Sequence, residues 1–211
     1  RRSLLRAIGV QAGAYALGGS WRPAVAAASA AAGEAQPLNE RLAQFALHTR
    51  FEDLPAAVVL KAKEQLIYHL GLAFAGLAAD EGRIAHRVMQ AHAVPTGASA
   101  IGSSMRLTAS DAAFYNTSLM RAVWRDDVTW PSGIHAGIMT YPPALALAEM
   151  RHRSGRELLL AVVLGYELMC KLARAADAWA ADQPRRPTMV YGSYGPVTVA
   201  GRLMQLDRVR L

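Results

Sequence analysis

The chain has 211 residues, 53% of them apolar, and 23 Lys and Arg against 16 Asp and Glu, for a formal net charge of +7. That supplies enough apolar material for a buried core, and the absence of a long Lys/Arg cluster with interleaved aromatics argues against a nucleic-acid partner. Cys170 is the single cysteine, so there is no internal disulfide, and no Cys/His ligand spacing points to zinc or an iron–sulfur cluster.

Arg1-Arg2-Ser3-Leu4-Leu5-Arg6 fits a twin-arginine export signal, followed by a mild Gly- and Ala-rich run from Ala7 to Gly19 and small-residue cleavage candidates at Ala24-Val25-Ala26 and Ala28-Ser29-Ala30. The run is too short to serve as a membrane anchor, which needs about 20 predominantly apolar residues. The plainer alternative is a basic N-terminal tail. Cleavage near Glu34 would remove four arginines and one acid, lowering the surplus to +4. Residues 1–36 are therefore expected to be signal and linker, with the twin-arginine translocase as partner and a periplasmic or extracellular destination.

Beyond the signal, residues 37–211 read as helix nearly throughout. Asn39 is the expected cap of a first helix through Leu42 and Phe45, and Asp53 the cap of a second with Pro55 in its first turn. Val58, Val59, Ala62, Leu66, Leu70 and Phe74 are the expected inner face of that second helix. Gly82 to Ala93 suits a third helix, and the Gly-split stretch 98–108 a short β-hairpin. Ser110 and Asp111 open a helix into the polar segment at Asp126; His135 begins another, interrupted or restarted at Pro142-Pro143.

Ser154-Gly155-Arg156-Glu157 is a capping box for a helix to about Ala176 that is apolar nearly all round from Leu158 to Leu164, as befits the middle of a bundle. Within it Cys170 reads as a buried, inert thiol, and Glu167 has a structural partner in Lys171 one turn on. Pro184-Arg185-Arg186-Pro187 marks a loop, and Gly192 to Leu206 a closely packed final helix.

The segment that concentrates chemistry is Asp126-Asp127-Val128-Thr129-Trp130-Pro131-Ser132-Gly133-Ile134-His135, a polar loop between two apolar helices. Carboxylates beside an imidazole suit proton transfer, and a loop held by a rigid scaffold can aim them. Arg121 and Arg125, four apart on a helix, would share a face and can grip carboxylates; the alternative is solvated surface. Thr129 can hydrogen-bond a substrate or simply stabilise the turn.

This loop, with Asn116 before it and Gly137 and Pro143-Ala144-Leu145-Ala146-Leu147-Ala148-Glu149 after it, resembles the N-terminal part of the MmgE/PrpD family of 2-methylcitrate dehydratases and cis-aconitate decarboxylases. Arg50-Phe51-Glu52-Asp53-Leu54-Pro55, Gly165-Tyr166-Glu167 and Gly192-Ser193-Tyr194-Gly195 keep the family order on either side. The family commonly has His at the position of Arg121, an acid at Trp124, Phe at Arg125, His at Thr129, Pro at Ala136 and His at Arg186.

The resemblance implies an all-α bundle, incomplete here because the family's C-terminal part and lid domain lie beyond Leu211. It implies a lyase acting on a small anionic polycarboxylate, working without metal or cofactor, and a homodimer. Carried over to the loop, it makes His135 the general acid or base, supported by Asp126 and Asp127, with Thr129, Arg121 and Arg125 as substrate contacts. A reading of another class is a catalytically degenerate binding or dimerisation module. The export expectation has a direct check: a reporter fused after Gln36 should fail to reach the periplasm once Arg1 and Arg2 are both changed to lysine.

Overall fold

A computed structural model of the chain describes residues 36–130, 133–177 and 191–211. The twin-arginine segment, Pro131-Ser132 and the Pro184 to Pro187 loop fall outside the described residues. The described residues include seven α-helices and one small hairpin: α1 Leu38–His48, α2 Ala56–Gly76, α3 Asp80–Gln90, β1 Ala98–Ser99, β2 Arg106–Leu107, α4 Ala109–Ala122, α5 Ala136–Met150, α6 Gly155–Asp177 and α7 Tyr194–Leu203. The hairpin is antiparallel, Ala98 opposite Leu107. No helix among the described residues is long and apolar enough to cross a membrane.

The all-α architecture with a hairpin at 98–108 is as the sequence predicts. The reason for its central helix is composition: every residue from Leu158 to Gly165 is buried, so α6 must be covered on all sides. Its Ser154 and Glu157 form the expected reciprocal cap, Glu157 N–H donating to Ser154 Oγ at 3.3 Å and Ser154 N–H to Glu157 Oε2 at 2.8 Å. Glu167 pairs with Lys171 at 2.6 Å, again as expected.

One core cluster joins Phe45, Ala62, Tyr141, Ala144, the α6 run and Val199. A second gathers Leu72, Met89, Leu107, Tyr115, Leu119 and Ile138 around α4. A small third cluster, Ile134, Ala136, Met169 and Ala173, lies under the polar loop and fixes it to α6.

Several local expectations are corrected. Asn39 lies inside α1, whose N-cap is Pro37, and Asp53 ends a short 3-10 turn at Phe51–Asp53 while Pro55 itself precedes α2. Asp53 accepts instead from the Arg50 N–H at 2.8 Å. Thr108, not Ser110, caps α4 by accepting the Asp111 N–H. The buried line of α2 is Ala62, His69, Leu72, Ala73 and Gly76, whereas Phe74 is 59% exposed. Small residues win that line because α2 runs close to α4: a Cβ on Gly76 would sit 2.1 Å from the Leu119 carbonyl oxygen.

Finally, α5 is continuous through Pro142 and Pro143. Proline supplies no N–H to the carbonyl four residues back, and at Ile138 the vacancy is filled by the Thr117 hydroxyl of α4, 3.2 Å away.

Because Val163 is buried in the middle of α6, Val163→Asp should lower stability by more than about 3 kcal/mol, an unpaired charge having no partner there. Val88→Asp on the exposed side of α3 should stay within about 0.5 kcal/mol. Thermal or denaturant melts of the two variants check this placement.

Candidate functional site

Where α4 stops decides the geometry of the polar loop. Its last helical residue is Ala122, Val123 caps it, and Trp124 takes a left-handed φ of 54°, uncommon for a bulky side chain. The chain turns off the helix axis there, so Arg125 is not one helical turn beyond Arg121 and the two arginines do not share a face as expected. Arg121 lies over the Trp124 ring, its guanidinium carbon 3.9 Å from the centroid, a cation–π contact. Arg125 is exposed, and its carbonyl accepts from the Tyr68 hydroxyl of α2.

The two aspartates that follow face different partners. The Asp126 carboxylate is fully buried and bridges two donors: Arg121 Nη1–H on Oδ1, and His135 Nδ1–H on Oδ2 at 2.7 Å. A proton on Nδ1 leaves Nε2 as the working nitrogen of the imidazole, whose side chain is 29% exposed. No hydrogen bond from that Nε2 is found among the described residues. The carboxylate therefore sets the tautomer and orientation of an imidazole that solvent can reach, the arrangement needed for a general base or acid.

Asp127 points the other way. Its Oδ1 accepts from His69 Nε2 at 3.0 Å and from the Gly137 N–H at 2.9 Å, and its Oδ2 accepts from the Tyr166 hydroxyl at 3.0 Å. Burial works to raise the Asp127 carboxyl, but the His69 ring, the Gly137 N–H and the Tyr166 hydroxyl together hold it below the usual range. The same burial, reinforced by the Asp127 charge, pushes the Tyr166 and Tyr141 phenols upward and keeps them neutral donors.

His69 is completely buried. Its Nδ1 meets the Gln65 carbonyl at 2.8 Å, and its ring stacks on Tyr141 at 5.1 Å between centroids. Both ring nitrogens thus lie within hydrogen-bond reach of an oxygen. Sequence reasoning passed over His69 and named Tyr166 only as part of a family stretch. The available signal was spacing: His69 falls seven residues after Ala62 and seven before Gly76, on the most buried line of α2. A titratable group there needs a polar partner.

Thr129 completes the turn. Its N–H donates to the Ile134 carbonyl at 2.8 Å, its hydroxyl donates to the same oxygen at 3.1 Å, and Gly133 at φ +66° carries the chain back. Of its two expected roles, the structure shows the turn. Thr129 also lies 3.4 Å from Cys170 Sγ, whose burial pushes the thiol up to about 11. Asn116 serves the fold: its amide ends bond Ile101 N–H and the Ser99 carbonyl, holding the hairpin.

The model of the MmgE/PrpD N-terminal domain matches residues 40–211. The chain belongs to that family. MmgE/PrpD proteins are dehydratase- and decarboxylase-like, and lyases such as 2-methylcitrate dehydratase are among them. No match was found among curated proteins.

In this MmgE/PrpD domain the loop thus brings together His135, Asp126 and Arg121, with Asp127 immediately behind them, and leaves Arg125 apart. No group of three or more His, Cys, Asp or Glu among the described residues is arranged to hold a metal ion. A largely apolar cleft of about 380 Å³ lined by Leu42, Leu168, Leu172, Val197 and Leu211 shares no residue with the loop.

The Asp127 environment has a pH consequence. A carboxylate whose pKa is lower folded than unfolded stabilises the fold above its unfolded pKa, about 3.9, and that contribution is lost as pH falls further, toward the folded value. Denaturant midpoints should therefore drop between pH 5 and pH 3 more steeply in the native chain than in Asp127→Asn, which has no such proton to take up. Equal slopes would remove Asp127 from the acid response.

Proposed function

We propose that this chain carries the proton-transfer group of a lyase acting on a small polycarboxylate, by dehydration or decarboxylation. The observation that supports it is the buried Asp126 carboxylate on His135 Nδ1, which leaves Nε2 as the other nitrogen of a part-exposed ring. In a dehydration, Nε2 takes a proton from the carbon beside a carboxylate. The C–H electron pair becomes the double bond, and the neighbouring hydroxyl leaves as water with the proton that the imidazolium gives back to it. In a decarboxylation, the C–C bond breaks, carbon dioxide departs, and the electron pair left on carbon takes a proton from the imidazolium. In both, Asp126 stabilises the positive ring while it holds the proton. Arg125, exposed and next to Asp126, is the side chain free to attract an anionic substrate.

A second reading has its own support. Arg121 already occupies one oxygen of Asp126 and stacks on Trp124, so the carboxylate is shared rather than devoted to His135. A helical binding module descended from the enzymes would tolerate such sharing. In that case His135 has no chemistry to perform.

Turnover of di- and tricarboxylates by the protein decides between them. His135→Ala should lower kcat at least ~100-fold, the usual worth of a general acid or base, with the thermal midpoint preserved because the side chain is part-exposed. Treatment with a chelator should leave turnover unchanged, since each step above uses only the imidazole. Full activity in the alanine variant would move the chemistry away from this loop, and absence of turnover in the native protein would favour the binding module.

A further inference from the structure

We infer that His69 is a positioning residue for His135: from the buried side of α2 it pins the carboxylate that closes the His135 loop on itself. This rests on the proposed role of His135. One oxygen, Asp127 Oδ1, receives both the His69 Nε2–H at 3.0 Å and the Gly137 N–H at 2.9 Å. Asp127 stands at the start of the loop and Gly137 two residues past its working histidine. A single carboxylate therefore ties the two ends of an eleven-residue segment together, with His135 inside the closure and Asp126 immediately before it. His69 fastens that knot to the scaffold, and it is itself held by the Gln65 carbonyl and the Tyr141 ring.

The fit leaves no slack. A Cβ on residue 137 would lie 1.9 Å from His69 Nε2 and 2.5 Å from Asp127 Oδ1, so the imidazole and the start of α5 touch and only glycine allows the contact. Tyr166 from α6 takes the remaining oxygen. The closure is thus referred to three helices, α2 with an imidazole, α5 with a backbone N–H and α6 with a phenol. Without His69, Asp127 keeps two neutral donors and loses the one that can carry a positive charge, in a site that excludes most solvent. The loop then has a weaker reason to stay closed. The hydrogen bond between Asp126 and His135 depends on that closure, although neither residue touches His69.

The test compares the protein with His69→Ala and His69→Gln. Gln retains an N–H that can reach Asp127, without the ring. Deuterium exchange of the peptide bearing Gly137 should speed up at least about tenfold in the alanine variant and by less in the glutamine variant. Turnover of the best polycarboxylate should show kcat down about 100-fold in His69→Ala, as for a misplaced catalytic group, with KM within about threefold and partial recovery in His69→Gln. Unchanged Gly137 exchange in a folded His69→Ala variant overturns the inference, as does a rise in KM with kcat intact. Should His69→Ala fail to fold, the same two readings on His69→Gln decide it. A native protein with no turnover sinks the catalytic reading alone, because the exchange comparison still reports whether His69 holds the loop.

Discussion

The buried carboxylate of Asp127 is the constraint around which this molecule is organised. Three donors from three helices converge on it, His69 of α2, the Gly137 N–H of α5 and Tyr166 of α6. Any one of these helices could bury its apolar face in more than one way, since hydrophobic contact is not directional. A charged acceptor with defined lone-pair directions is. It selects the arrangement in which all three donors arrive together, at the cost of desolvating a charge that only this arrangement repays. The Tyr141 ring stacks on His69 and meets the Tyr166 ring edge-on, so the side-chain donors to the carboxylate are joined by aromatic contacts.

The adjacent Asp126 shows how neighbouring residues of one type acquire opposite tasks. Asp127 faces the scaffold and Asp126 the imidazole. One is anchored by groups that do not change during chemistry. The other holds the group that does. Arg121 adds a fixed positive charge to the second carboxylate, and the Trp124 ring over it requires the left-handed turn that ends α4.

Much of this was legible in the sequence, and the boundary between what was and was not follows from physics. The unbroken apolar run of α6, the Ser154 and Glu157 cap and the Asp126 to His135 loop are local patterns, written in consecutive residues. His69 is not. Its neighbours Tyr68 and Leu70 look like an ordinary helix, and the choice of inner face depends on which line of α2 can approach α4, a property of Gly76 and Leu119 across the packing interface rather than of α2 alone. The apolar residues Leu60, Ile67 and Phe74 were the more hydrophobic choice for that face and lie exposed. The spacing of Arg121 and Arg125 misled for a similar reason: a period of 3.6 holds only while the helix lasts, and Trp124 ends it.

The pair of prolines in α5 carries a mechanical meaning. Each withholds one rung from the hydrogen-bond ladder, and the Ile138 carbonyl is compensated from α4 rather than from within its own helix. The first turn and a half of α5, which carries Gly137 and follows directly on His135, is therefore coupled to the rest of that helix by fewer internal bonds than an ordinary helix would provide. Its stiffness is borrowed from its neighbours. At this point α5 is held by its contact with α4 as well as by its own ladder.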